Sequence, residues 1–237
     1  MITPVGQPVS LDSLAGTWRR RWIRWPGRKP DASTHVWWVQ SARQYGELRI
    51  PRGRPSFAGV RSFGQCSKPQ LLWLATQEGF AGELSESGGV FHWWRDVDFQ
   101  PFDGRRDVGR LSYENPGQTV MVEVGAEAPY YTKLWEREAA QPPGTYPPVV
   151  TRIDRPGGHG LFVGVGHEFV LAVDRRPKLP AADSLAELVA GANFHDPARW
   201  LNAEISFGKR DRDEGRNGTI LHSTLPWREG ELAFSSA

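Results

Sequence analysis

The sequence predicts an all-β protein with one short helix, arranged as two tandem antiparallel β-barrel domains. Short segments rich in aromatic and β-branched residues recur along the chain between Gly, Pro, Asn and Asp residues, a pattern typical of strands. In the first part no convincing helical pattern separates them, which favours an antiparallel meander. Residues 139–148 contain four prolines and cannot lie inside a sheet, because proline has no backbone donor. We therefore expect a linker there, between domains at residues 1–138 and 149–237.

The first domain is predicted to close into an up-and-down barrel. Gly88 with Gly89, and Asn115 with Gly117, are hairpin turn signals, so neighbouring strands should pair in sequence order. A meander of eight to ten strands removes its exposed edges by closing on itself. The predicted strands are residues 16–25, 35–41, 45–50, 71–76, 80–85, 90–99, 110–113, 119–124 and 130–137.

The second domain is predicted to be a smaller barrel-like unit with one helix. The helix spans residues 182–190, with Asp183 or Ser184 as its N-cap and Gly191 as its stop. The predicted strands are residues 149–153, 160–165, 168–173, 200–207, 219–224 and 232–234.

Composition excludes several classes of protein. With 24% charged and 39% hydrophobic residues the chain is neither disordered nor collagen-like. It has no apolar run of membrane-spanning length and no signal-peptide pattern, so we expect a cytoplasmic protein with no membrane association. Cys66 is the one cysteine, which excludes an internal disulfide and a cysteine-rich zinc site.

Charge and tryptophan are unevenly distributed. Residues 1–61 carry 11 Lys or Arg against three acids, and nine of the 11 tryptophans precede residue 136. Arginines alternate with tryptophans over residues 18–28, as on a nucleic-acid stacking platform. The net charge of +2 argues against that use, so we predict no nucleic-acid partner. The tryptophans indicate an aromatic interior or pocket in the first domain.

An arginine is predicted on the inner face of the strand at residues 90–99. Strand alternation places Arg95 on the same face as Phe91, Trp93, Val97 and Phe99. A buried charge is costly unless it is paired, so Arg95 needs either an internal carboxylate or an acidic ligand. The candidate carboxylates are those of Glu47, Glu78 and Glu123.

Further polar residues lie beside aromatic ones, as in a ligand cavity. Gln40 follows Trp38 on one strand face, and Arg49 shares a face with Tyr45 and Glu47. The latter face points either to solvent or to the cavity. The leading hypothesis is that the first barrel binds a small apolar, aromatic or acidic molecule. Its predicted ligand-binding residues are Trp38, Gln40, Arg49, Trp93 and Arg95.

Two other functions stay open. The same cavity could hold an enzyme site, a hydrolase, isomerase or lyase, with Glu78, Asp98, Glu123 and Tyr131 as candidate catalytic groups. Alternatively, the second domain could hold a protein partner. The histidines lack ligand spacing, so no metal site and no cofactor are predicted. A homodimer is one expectation for a barrel with an aromatic exterior.

Several short motifs recur in a fixed order along the chain: Gly16, Thr17 and Trp18, residues 93–101, Tyr131 with Leu134 and Trp135, and residues 160–173, 204–208 and 225–227. Together they are similar to those of uncharacterised bacterial proteins that distantly resemble a fungal family of casein-kinase-interacting proteins. The resemblance implies two tandem lipocalin-like barrels, with a binding function and no catalytic residue carried over. It also implies that Trp18 plugs the floor of the first barrel, as in lipocalins. The similar haem-binding barrels need a histidine on a late barrel strand, and the first domain has only His35 and His92, so haem is not expected.

Overall fold

The computed structural model describes residues 6–139, 147–155, 158–192, 196–211 and 217–234. The elements of the first part are β1 (Gln7–Pro8), β2 (Gly16–Arg24), β3 (Thr34–Gln40), β4 (Gln44–Pro51), α1 (Lys68–Leu74), β5 (Glu78–Ser87), β6 (Val90–Asp98), β7 (Val108–Tyr113), β8 (Val120–Gly125) and β9 (Thr132–Arg137). Those of the second part are β10 (Val149–Arg155), β11 (Gly158–Val165), β12 (Glu168–Val173), α2 (Leu185–Gly191), α3 (Asp196–Leu201), β13 (Glu204–Arg210) and β14 (Gly218–Ser223). Among the described residues no helix is long and apolar enough to cross a membrane.

Strands β2 to β9 form a closed antiparallel barrel of eight strands. Each strand pairs with the next one along the chain, and β9 returns to pair with β2. This confirms the predicted mostly β fold and the first barrel. The short strand β1 pairs with β7 beyond the point where β6 leaves it.

The second part is a five-stranded antiparallel sheet in the order β10, β11, β12, β13, β14. Within the described ranges β10 and β14 do not pair with each other, so the sheet is open where the sequence predicts a second barrel. The predicted strand at residues 232–234 reduces to a single bridge from Leu232 to Thr219. Backbone bonds from Ile220 to Glu231 and from Ala233 to Gly218 place this last segment along the edge of β14.

The helices differ from the sequence prediction in number. Residues 71–76, predicted as a strand, belong mainly to α1, because Ser67 and Gln70 form a reciprocal capping box at its start. The predicted second-part helix is confirmed as α2, with Ser184 accepting a hydrogen bond from the backbone of Glu187. Residues 200 and 201, predicted to begin a strand, end α3 instead.

One end of the barrel is closed by a short 3-10 turn, Asp12–Leu14. Trp18 is fully buried there and its indole Nε1 donates to the carbonyl of Leu14 at 2.9 Å. Arg137 lies over the Trp18 ring, 4.4 Å from its centroid, and bonds the carbonyl of Ala15 at 2.9 Å. We call this end the floor of the barrel, and Trp18 fills it.

The second sheet packs against the outer face of β3, β4 and β5. Trp37 stacks on Phe207 with ring centroids 5.6 Å apart, within a core to which both parts of the chain contribute. The approach is closest at Gly46, where an added Cβ would lie 2.5 Å from Cγ1 of Val170. Residues 140–146 of the predicted linker at 139–148 lie outside the described residues, and the division into two domains stays a prediction.

Gly46→Ala is expected to lower the free energy of unfolding by about 1–3 kcal/mol, because Val170 is β-branched, buried and unable to move aside. Chemical denaturation measures the change. Gly117→Ala is the matched control, since its Cβ would meet no atom closer than 3.9 Å. Adding Val170→Ala to the Gly46 variant should recover part of the loss. Equal stability of the two glycine variants would contradict the close packing.

Candidate functional site

A β-bulge in β6 changes which of its side chains point into the barrel. Arg95 pairs with Gly82, but Val97 pairs with Ala81, so Asp96 is an extra residue. Phe91 and Trp93 face the interior as predicted. Val97 and Phe99 face outward into the core shared with the second sheet, which corrects their predicted inward placement.

The same bulge turns Asp98 toward Arg95. The Arg95 guanidinium binds Asp98 at 2.7 Å and Asp107 at 2.5 Å, and lies 3.8 Å from the centroid of the Phe80 ring. Burial lowers the pKa of Arg95, but these two carboxylates outweigh burial and raise it. Arg95 therefore has internal partners as predicted, although they are Asp98 and Asp107 rather than a glutamate.

A second ion-pair group lies on β4 and β5. Arg49 contacts Glu47 and binds Glu78 at 2.7 Å. The Glu47 side chain is 3% exposed and that of Arg49 is 13% exposed, so this strand face points into the barrel and not to solvent. Partial burial raises the pKa of Glu78, whose side chain is 48% exposed, but Arg49, with Arg20, outweighs it and lowers that pKa.

Glu123 on β8 is the most fully bonded carboxylate of the site. It accepts hydrogen bonds from the Tyr131 hydroxyl at 2.7 Å, Lys133 Nζ at 2.7 Å and Trp135 Nε1 at 2.8 Å. Its side chain is 2% exposed and that of Lys133 is 6% exposed. Burial and the nearby Glu123 charge raise the pKa of Tyr131 well above its ordinary value.

Together these groups form what we call the ionic layer of the barrel, at the end opposite the floor. We call this opposite end the mouth. Strands β2, β4, β6 and β8 run from the floor to the mouth, and the other four barrel strands run back, which accounts for the positions of these groups. Exposure rises from the buried Glu123 to Glu78, whose side chain is 48% exposed at the rim. The layer comprises Arg20, Glu47, Arg49, Glu78, Arg95, Asp98, Asp107, Glu123 and Lys133. It therefore brings together all four predicted catalytic candidates, with Tyr131 bound to Glu123.

Arg20, Asp107 and Lys133 are the members that the sequence analysis did not assign to the site, and Arg20 differs from the other two. Arg20 on β2 lies opposite Trp135 on the neighbouring strand β9. Trp135 faces the barrel interior, so the Arg20 side chain points inward as well. In the described part of the chain it makes no hydrogen bond and no ion pair. Burial, with the positive charge of Arg49, lowers the pKa of Arg20 to about 10. The two-residue spacing of Trp18 and Arg20 on one strand indicates that Arg20 points inward. It does not show whether carboxylates of other strands lie near Arg20.

Trp38, Gln40 and Trp93 lie below the ionic layer, in the packed aromatic interior. The Gln40 side chain accepts from Trp38 Nε1 at 3.1 Å and donates to the Ser41 carbonyl at 3.0 Å. Both ends of the Gln40 amide are thus used within the fold. A role of these three residues in ligand binding stays a prediction.

The barrel wall has a gap between β2 and β3, which we call the window. Regular pairing of these strands stops at Arg19 with Trp37, and they meet again only at the single bridge of Ile23 with Asp31. A cleft of about 330 Å³ opens between these points. Its lining includes Arg19, Arg20, Arg21, His35, Trp37 and Arg52, and no carboxylate among the described residues.

The ionic layer does not have the ligand arrangement of a metal centre. Within the described ranges no group of three or more His, Cys, Asp or Glu residues has an arrangement that could hold a metal ion. A further cleft of about 620 Å³ lies in the second part of the chain, beside Arg176 and Arg199.

Comparison with known proteins adds a fold relationship. The chain is similar to the crystal structure of an uncharacterised protein from Saccharomyces cerevisiae, with a TM-score of 0.53 and 12% sequence identity, over 87% of this chain and 84% of the yeast chain. No protein-family model and no curated protein sequence matches the chain. At this identity the similarity concerns the fold alone.

Proposed function

We propose that the barrel binds a small acidic molecule and that Arg20 is its anchor. The observation that carries this proposal is the missing counterion of Arg20. The other cations of the ionic layer, Arg49, Arg95 and Lys133, each contact at least one carboxylate. Arg20 is half-buried, and an anionic group would replace the interactions with water that its partial burial removes.

The geometry supports an acidic ligand more than a purely apolar one. The aromatic interior is filled by its own side chains, many of them less than 2% exposed. The open volume near Arg20 is instead lined by arginines. At about 330 Å³ it lies at the small end of the range for ligand sites.

Arg20→Gln tests the proposal. We expect the variant to keep or slightly raise the free energy of unfolding, by up to about 1 kcal/mol, since it removes a half-buried charge with no ion pair among the described residues. Its affinity for acids should fall about 10- to 100-fold, as expected for a lost charge-assisted hydrogen bond. Calorimetric titration with benzoate, medium-chain fatty acids and short dicarboxylates, each beside its neutral amide, measures the affinity.

Arg24→Gln is the matched control for this experiment. Arg24 lies on the same strand, is exposed, and does not line the cleft. It should bind acids as the unaltered protein does. Acids that bind no better than their amides, or equal affinities of the Arg20 and Arg24 variants, would refute the proposal.

A second candidate function is catalysis at the mouth of the barrel. The supporting observation is that two neighbouring carboxyl groups have pKa values shifted in opposite directions. Burial raises the pKa of Asp98, whereas Arg49 outweighs burial and lowers that of Glu78. Carboxyl groups whose pKa values are shifted apart are a feature of acid–base sites, such as those of a hydrolase, isomerase or lyase.

Chromogenic ester, glycoside and phosphate substrates test this candidate. Turnover that is abolished by both Glu78→Gln and Asp98→Asn, while both variants stay folded, would support it. Turnover unaffected by these substitutions would place the reaction elsewhere or attribute it to a contaminant.

We further infer a distant relationship to the fungal casein-kinase-interacting family. The similarity to the yeast protein over most of both chains supports a shared arrangement of barrel and second sheet. A crystal structure of a characterised family member that superposes on both the barrel and the open sheet would test it, and agreement over the barrel alone would count against it.

A further inference from the structure

Only some of the arginines that line the window have carboxylate partners. Arg19 is committed to Glu138 at 2.5 Å and Glu168 at 3.3 Å, and Arg21 is committed to Glu136 at 2.8 Å. Arg20 and Arg52 have no ion pair among the described residues. The window therefore holds two uncommitted guanidinium groups in one cleft.

Two further groups add to this charge pattern. One guanidinium nitrogen of Arg19, Nη1, is buried without a hydrogen-bond partner although the rest of the group is paired. The His35 ring stacks on Trp37, with centroids 6.0 Å apart, and lines the same cleft. The Asp31 carboxylate accepts a hydrogen bond from the Ser33 backbone at 2.7 Å. The acids that contact the window's arginines, Glu136, Glu138 and Glu168, are bound to Arg19 and Arg21, so Arg20 and Arg52 remain as donors.

The barrel mouth has the opposite sign. Apart from Arg20, the ionic layer holds five carboxylates against the three cations Arg49, Arg95 and Lys133. An anion entering through the mouth would approach these carboxylates before it reached Arg20. An anion entering through the window would meet a lining whose charged groups are arginines, two of them already paired with glutamates. Coulomb energies favour the second route.

We propose that the window is a seat for a phosphate monoester dianion, held between Arg20 on the inner side and Arg52 on the outer side. This inference rests on the proposed function and names the ligand class and route. One guanidinium fork satisfies the two oxygens of a carboxylate. A phosphate monoester carries about −1.5 to −2 charges at pH 7 and three acceptor oxygens, so it matches two separate guanidinium groups.

Calorimetric titration of the whole protein with three probes tests the ligand class. The probes are phenyl phosphate, a dianion; methyl phenyl phosphate, a diester with one charge; and benzoate. We expect phenyl phosphate to bind at least tenfold more tightly than the other two. Equal affinity for the diester would show that the site recognises a single charge, and would overturn the proposal.

Arg52→Gln tests the route, with Arg28→Gln as its control in the neighbouring loop. Arg52 is exposed, so the substitution should leave the fold intact. We expect Arg52→Gln to weaken phenyl phosphate about tenfold and to leave benzoate unchanged, whereas Arg20→Gln weakens both. Loss of binding in the Arg20 variant alone would refute the window seat but keep the proposed function. Binding of all probes that is insensitive to Arg20 would refute both.

Discussion

Glu123→Ala is expected to lower the free energy of unfolding by about 3–5 kcal/mol, a large effect for one side chain. The carboxylate accepts hydrogen bonds from Tyr131, Lys133 and Trp135, all within 2.8 Å. Its removal leaves the Lys133 ammonium buried without a counterion and two further donors unsatisfied. Denaturant unfolding, followed by tryptophan fluorescence because Trp135 is one of the donors, measures the loss.

A matched control separates this buried pair from a surface one. Glu127 contacts Arg106 with its side chain 42% exposed, so Glu127→Ala should cost less than about 1 kcal/mol. The double variant Glu123→Leu with Lys133→Met removes both charges and should recover much of the stability lost in Glu123→Ala. A Glu123 variant no less stable than the Glu127 variant would mean that the buried network contributes little.

The strand order of the barrel could be predicted because it depends on local signals. Hairpin turns and period-two segments specify a meander, and each strand does pair with its neighbour in sequence. Closure between β2 and β9 follows from the need to remove two edges. The same argument does not predict that the second sheet stays open. Its inner face is covered by the barrel wall, and its edge at β14 is covered by residues 230–233, so this sheet does not need to close on itself.

The α1 segment shows where periodicity alone is ambiguous. Leu71, Leu72, Trp73 and Leu74 read equally well as a short apolar strand or a short buried helix. The decisive residues, Ser67 and Gln70, precede the apolar run and cap the helix reciprocally. A capping signature was present in the sequence and outranks the apolar composition.

Much of the candidate site could be predicted, but its pairings could not. Strand alternation correctly places Arg95 on the same face as Phe91 and Trp93, because alternation follows from one strand at a time. For Arg49 it left the cavity and solvent as alternatives, and the structure shows the inward one. Partners lie on other strands, and one bulge at Asp96 reverses every later side chain of β6. Whether Arg20 has a counterion depends on residues of several neighbouring strands, so the sequence of its own strand does not reveal it.

Arg95→Met is expected to destabilise the protein by about 3 kcal/mol, because it leaves Asp98 and Asp107 without their shared cation. For a chain of this length the melting temperature should fall by roughly 6–12 °C.

In the unaltered protein Lys133 and Arg95 outweigh burial and lower the pKa of Asp107. Its contribution is therefore present at neutral pH and is lost as pH falls below the ordinary aspartate value of about 3.9. The difference between the two proteins should shrink as pH falls below about 4, as measured by thermal unfolding. Adding Asp98→Asn and Asp107→Asn to the variant should restore stability at pH 7. A variant as stable as the unaltered protein at every pH would show that this ion-pair group does not stabilise the barrel.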